Sequence, residues 1–280
     1  MLGLAAASPV LGTSLALAPA ARADSVVSSN WSGYAVHRSG VRFSSVSANW
    51  TQPQPRCRRG HRGYGAIWVG LGGFARRAHA LEQIGTEVDC TSSGRTASSG
   101  WFEVIPAPSQ DIRLKVRPGD QMAASVTVVG HTVWLTLANL TTHQTFRKSM
   151  KAAAVDVSSA EWILEAPAEC DGYSCQTLPL VNFGAATFGL TRTSATSGHA
   201  GTISDPAWGY TKIRLRPLGR RFAVLHGGGR AGTADPSALS SDGGTFTLTF
   251  SSVQVKGKRL RTRGQRRRHA ARIVHPRRLG

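Results

Sequence analysis

The stretch "MAASVTVVGHTVWLTL", Met122–Leu137, decides the fold class. Its second half sets Val133, Leu135 and Leu137 on one face and Thr132, Trp134 and Thr136 on the other. A period of two marks a half-buried β-strand. Gly130 and His131 fall where the two runs meet, and glycine supplies the positive φ that a hairpin tip demands. "TFTLTF", Thr245–Phe250, alternates in the same way. "RPGD" (Arg117–Asp120) and "SDGG" (Ser241–Gly244) carry turn chemistry. Residues 24–255 read as short strands broken by Gly, Pro, Asp and Ser, with no helical stripe and no internal repeat. That pattern predicts an all-β sandwich or barrel.

A chain of 280 residues with 41% apolar content is long enough for one such domain. Residues 1–23 are expected to be a signal peptide: Met1–Ala20 is small and apolar, and "ARA" at Ala21–Ala23 has small-x-small cleavage character. No Lys or Arg precedes Arg22, which points to a start further upstream. Export predicts a secreted, extracellular protein and paired cysteines. Cys170 and Cys175 flank the turn-like "DGYS" and are expected to close a small loop, leaving Cys57 for Cys90. A zinc site is the alternative, but no CxxC or HExxH spacing supports it.

The formal charge is +19, unevenly distributed. Residues 256–280 hold 11 of the 34 Lys/Arg and no acid, so the rest has 23 basic against 15 acidic residues. Such a tail is expected to be disordered. It could also hold the protein at the cell envelope through an anionic polymer or surface. Nothing in it reads bases in a sequence-specific way.

Several motifs lead nowhere. "VGLGGFA" (Val69–Ala75) has GxGxxA spacing without a βαβ context. "LHGGG" (Leu225–Gly229) resembles an oxyanion loop, yet no GxSxG elbow accompanies it. The histidines are scattered, so a Ser/His/Asp system has no support. Two segments remain. In "LEQIGTEVDC" (Leu81–Cys90), a strand would put Gln83 and Glu87 on one face and Glu82 on the other. In "SSAEWILEAP" (Ser158–Pro167), a strand would align Glu161, Ile163 and Glu165. A carboxylate beside apolar neighbours suits acid–base work, although the pattern fits a solvated outer face as well.

At these segments the sequence resembles the glutamic peptidases, the eqolisin or G1 family, and its bacterial branch in particular. The likeness runs from "SNWSGYAV" (Ser29–Val36) through "WVGLGG", "LEQIGTEVDC", "WFEVIP", "VRPGDQMAASV", "SSAEWILEAP" and "LPLVNFG" to "PSALSSDGGTFTLTF" (Pro236–Phe250). It implies a two-sheet antiparallel β-sandwich of concanavalin-like or jelly-roll type, with a cleft on its concave face, spanning residues 24–255. It implies that Gln83 and Glu165 are the catalytic pair, and that Trp31, Trp68, Glu87 and Glu103 bind substrate or support them. Cofactors and metals are not implied. The partners implied are protein or peptide substrates, met by a monomer.

The chemistry of the pair can be argued directly. Glu165 can take a proton from an attacking water and return it to the leaving amine. Gln83 can donate to the developing oxyanion and orient the water. An acidic optimum is the family expectation, and the chain's positive field is expected to lower the Glu165 pKa. Gly72 stands where many members have aspartate, and Val104 and Ile105 replace aromatics. The rival class is a carbohydrate-active or carbohydrate-binding sandwich, with Glu87 or Glu161 as the second carboxylate beside Glu165.

Overall fold

The computed structural model describes residues 23–170, 175–217, 229–255 and 272–274. No helix occurs among them. The strands in chain order are β1 (Ala23–Ser28), β2 (Trp31–His37), β3 (Phe43–Thr51), β4 (Ala66–Gly72), β5 (Leu81–Glu87), β6 (Asp89–Cys90), β7 (Thr96–Ala97), β8 (Gly100–Ile105), β9 (Gln110–Ile112), β10 (Gln121–Val129) and β11 (Thr132–Asn139). They continue with β12 (Gln144–Lys151), β13 (Ser159–Glu165), β14 (Ala168–Cys170), β15 (Cys175–Thr177), β16 (Ala185–Ala195), β17 (Ala200–Gly201), β18 (Gly209–Leu215), β19 (Gly229–Pro236), β20 (Phe246–Val255) and β21 (Arg272–Val274).

One hydrogen-bonded path runs β12-β11-β10-β3-β16-β20-β19-β18-β2-β13-β4-β5-β8-β9. Strand β1 joins β18 in parallel, and the other strand pairings are antiparallel. The path doubles back: β3 packs on β4 and β13, and β10 packs on β4 and β5. The result is a sandwich, with one layer built on β12-β11-β10-β3-β16-β20 and the other on β18-β2-β13-β4-β5-β8-β9. The hairpin read from Met122–Leu137 is β10 and β11, with Val128 opposite Val133 and Gly130 at φ 59 in the tip. The "RPGD" turn closes through Asp120, whose Oδ2 accepts the Arg117 N–H at 2.8 Å.

The two layers differ in what covers them. Strand β10 alternates buried with less buried residues, because one of its faces meets solvent. Strands β4 and β13 are buried along their whole lengths. On one side lies the inter-sheet core, including Trp50, Val69, Ile84, Trp162, Phe188 and Leu248. On the other lies a second apolar layer of Trp31, Trp68, Trp101, Ile163, Leu81 and Ile213. Close approach of these strands depends on glycine: a Cβ on Gly85 would overlap the Ile67 carbonyl and the Trp68 side chain, and one on Gly33 would overlap the Trp162 carbonyl.

Cys57 and Cys90 form a disulfide. Cys175 is also disulfide-bonded, and Cys170 is its register partner across the β14–β15 hairpin. Of the basic tail only Arg272–Val274 is described, paired with Ala168–Cys170. The rest of the tail, the "LHGGG" segment up to Gly228, and the signal-peptide reading up to Arg22 lie outside the described residues.

Candidate active site

Register across the second layer assembles the candidate residues. Strand β5 faces β4 with Gln83 opposite Gly70, and β4 faces β13 with Gly70 opposite Glu161. Four residues along, Glu87, Ala66 and Glu165 align in the same way. Strand β8 sets Glu103 opposite Gln83, and β2 sets Trp31 opposite Glu165. Directly opposed residues share a face, as do residues two apart on one strand. Gln83, Glu103, Glu165, Trp31, Trp68 and Trp101 therefore all lie on the face turned away from the inter-sheet core. Glu82 lies on the other face, where its Oε1 accepts the Asp156 N–H at 3.3 Å.

Glu165 is fully buried and held through both oxygens. Trp68 Nε1 donates to Oε2 at 2.9 Å, and Asn30 Nδ2 donates to Oε1 at 3.3 Å. Ser28 Oγ donates to Asn30 Oδ1 at 2.9 Å, which turns the amide N–H groups of Asn30 towards Glu165. Trp31 stands edge-on to Trp68, ring centroids 4.9 Å apart. Trp68 spans the site: its indole nitrogen reaches Glu165, and its ring edge covers Gly70, the residue facing Gln83.

Gln83 is also fully buried. Its Nε2 donates to Glu103 Oε2 at 2.8 Å, which fixes the plane of the amide. The Glu103 carboxyl is pushed up to about 8, chiefly by burial, against the pull of that hydrogen bond. Glu165 is raised well above the usual carboxylate range, first by burial. The Trp68 hydrogen bond opposes this, and the Glu103 charge, close enough to be felt, adds to it. The expected lowering of the Glu165 pKa by the chain's net charge is thus overturned. Desolvation of a fully buried carboxylate outweighs a diffuse positive field screened by solvent.

The two carboxylates that a glycosidase would use beside Glu165 differ in their surroundings. Glu87 Oε2 accepts the Ser99 hydroxyl at 3.1 Å. Glu161 is fully buried and raised by desolvation, with neither oxygen in hydrogen-bond geometry to a described residue, although Ser159 is near enough to oppose the shift. At Gly72, with φ +83, the space a side chain would need is filled by Asp156, whose Oδ2 accepts the Gly73 N–H at 3.2 Å. Ile105 packs on the tryptophan layer, whereas Val104 joins the inter-sheet core. Asn30 was missed in the sequence although "SNW" contains it, because an amide beside a tryptophan carries no catalytic pattern.

The family model described as "Peptidase A4 family" matches residues 29–214, which include Asn30, Trp31, Trp68, Gln83, Glu103 and Glu165. The chain belongs to the Peptidase A4 family. These are glutamic peptidases, hydrolases acting on peptide bonds. No curated protein matches the chain. Among solved structures, scytalido-glutamic peptidase with a peptide-based transition-state analogue is 25% identical at a TM-score of 0.63, covering 80% of this chain and 98% of that one. SCP-B, an eqolisin solved with the tripeptide Ala-Ile-His, is 24% identical at 0.60 over 80% and 98%. Aspergilloglutamic peptidase from Aspergillus niger is 23% identical at 0.51 over 68% and 99%. The last two bear on the fold alone, and they share the sandwich described above. For this Peptidase A4 chain, a carbohydrate-active reading of the same sandwich gives way to peptide hydrolysis.

Proposed function

We propose that the protein is a secreted, monomeric glutamic endopeptidase, active at acidic pH, with Glu165 and Gln83 as its catalytic residues and no metal or cofactor. The observation carrying this reading is the arrangement around Glu165. A buried carboxyl is gripped on both oxygens by Trp68 and Asn30, on the strand face it shares with the anchored amide of Gln83. The transition-state analogue bound to scytalido-glutamic peptidase supports a peptide as the occupant of this face.

The raised pKa makes the protonated form of Glu165 the resting form in acid. One carboxyl oxygen takes a proton from the attacking water while the other gives its proton to the scissile carbonyl oxygen. A C–O bond forms, a gem-diol results, and Glu165 is protonated again. In the second step the carboxyl protonates the amide nitrogen and takes a proton from a diol hydroxyl as the C–N bond breaks. Gln83 does not titrate: the Nε2 hydrogen not given to Glu103 donates to the developing tetrahedral oxygen, and its carbonyl orients the water. Export follows from residues 1–23, and the basic tail favours retention at an anionic envelope surface.

The test is hydrolysis of a denatured protein across pH 2–7, a range set around carboxyl titration. Glu165→Gln should abolish turnover. Wild-type kcat/KM should fall as pH rises through the Glu165 pKa. A rate that instead climbs with pH along a Glu165-dependent limb would mean a base-only role and sink the two-step scheme. Full activity in Glu165→Gln would sink the assignment itself.

A further inference from the structure

A second site lies away from the tryptophan face. A cavity of about 400 Å³ opens at the end of the sandwich, where the loop before β4 meets β19 and β20. Its polar lining is Arg56, Arg58, His61, Arg62, Asn182 and Ser252. Phe250, which packs on the inter-sheet core, forms part of the apolar floor. At roughly 30 Å³ per water, the space holds about a dozen waters, more than one small anion displaces.

Three features make this a built site. The loop carrying the cations is fixed in place: Arg56 N–H donates to the Asn182 carbonyl at 2.8 Å, Gly60 N–H to Ser92 at 2.8 Å, and the Cys57–Cys90 disulfide lies between Arg56 and Arg58. Among the described residues no carboxylate lines the cavity. Asp89, next to the disulfide, is partly buried and accepts the Gly65 N–H on Oδ1 at 3.1 Å. Among the described residues, no carboxylate lies within ion-pair distance of Arg56, Arg58 or Arg62. The segments outside the described residues add a single acid, Asp171, against many Lys and Arg.

We propose that this cavity binds a multivalent phosphate-bearing ligand, such as a segment of a phosphate polymer. Guanidinium forks pair bidentately with phosphate oxygens, and three arginines of one pre-set loop line this cavity. Phosphate keeps a negative charge at pH values where carboxylates, with pKa near 4, become protonated. Serine and asparagine at the rim add neutral hydrogen bonds. The site lies outside the catalytic face, so occupancy would tether the protein without blocking hydrolysis.

The test is calorimetric titration of the full chain with sodium tripolyphosphate at fixed salt. Wild type should bind saturably. Arg56→Gln/Arg58→Gln/Arg62→Gln should weaken binding about tenfold or more. The equal-charge control Arg113→Gln/Arg117→Gln/Arg147→Gln should change it less than twofold. All six arginines are exposed, so both triple variants should fold, and proteolysis should be unchanged in each. Equal weakening by the two triples would reduce the effect to diffuse attraction and overturn the site. No weakening by the cavity triple would also overturn it. A tricarboxylate probe binding as tightly as tripolyphosphate would overturn the phosphate assignment.

Discussion

At the scale of single residues, the amide of Gln83 and the indole of Trp68 make separable contributions. Gln83→Glu replaces an NH₂ donor with a carboxyl and sets it against Glu103 at a 2.8 Å contact. Losing one oxyanion donor costs about 10²–10³ in turnover, and the added acid raises the neighbouring pKa values further. The variant should therefore keep its fold and lose about that factor in kcat. Retention of wild-type kcat would remove Gln83 from the chemistry. Trp68→Phe keeps an aromatic side chain but deletes the donor to Glu165 Oε2. A hydrogen bond to a charged group is worth about 1.5–3 kcal/mol. Glu165 should therefore titrate higher still, carrying the falling limb of the rate profile to higher pH. A limb that stays where it is would belong to another group.

At the scale of strands, the tryptophan layer rests on glycines that let β4 and β5 approach. Gly85→Ala places a methyl against the Ile67 carbonyl and Trp68. Overpacking of this kind costs about 1–3 kcal/mol, so the melting temperature should drop. Activity should drop with it, because Trp68 aims at Glu165; a wild-type melting temperature would show that the strands can part without loss. This is also where the sequence was most and least informative. The period-two runs of Met122–Leu137 and Thr245–Phe250 announced strands because one face of each meets solvent. Strands β4 and β13 are covered on both faces, so their runs carry little alternation; Glu161, Ile163 and Glu165 nonetheless fall on one face, as the strand reading required. Pairing between β5 and β8 brings Glu103 to Gln83 across twenty residues of chain, and no local pattern encodes that contact. The relay from Ser28 through Asn30 to Glu165 spans two strands and was invisible for the same reason.

At the scale of the whole molecule, burial raises several carboxyls above their ordinary range. Asp89 is pushed up to about 7, Glu103 to about 8 and Glu82 to about 9, while Glu161 and Glu165 are raised well above the ordinary range. Burial is the leading cause in each. The unfolded chain releases these protons near pH 4, and the folded chain keeps them. Folded-state pKa values above the unfolded ones mean stability that is complete below about pH 4 and is lost as pH climbs through about 7–9. The net positive charge works the other way at the acid end, since self-repulsion grows as the remaining carboxylates protonate. Calorimetry from pH 3 to 9 should therefore give a melting temperature highest near pH 4–5 that falls steadily to pH 9. Glu82→Gln provides the internal control. Its amide carbonyl can still accept the Asp156 N–H that Glu82 Oε1 now accepts, but the group no longer ionises. The variant's melting temperature should decline less steeply above pH 7 than that of wild type. Parallel curves for the two proteins would mean that buried carboxyls do not set the alkaline limit of this fold.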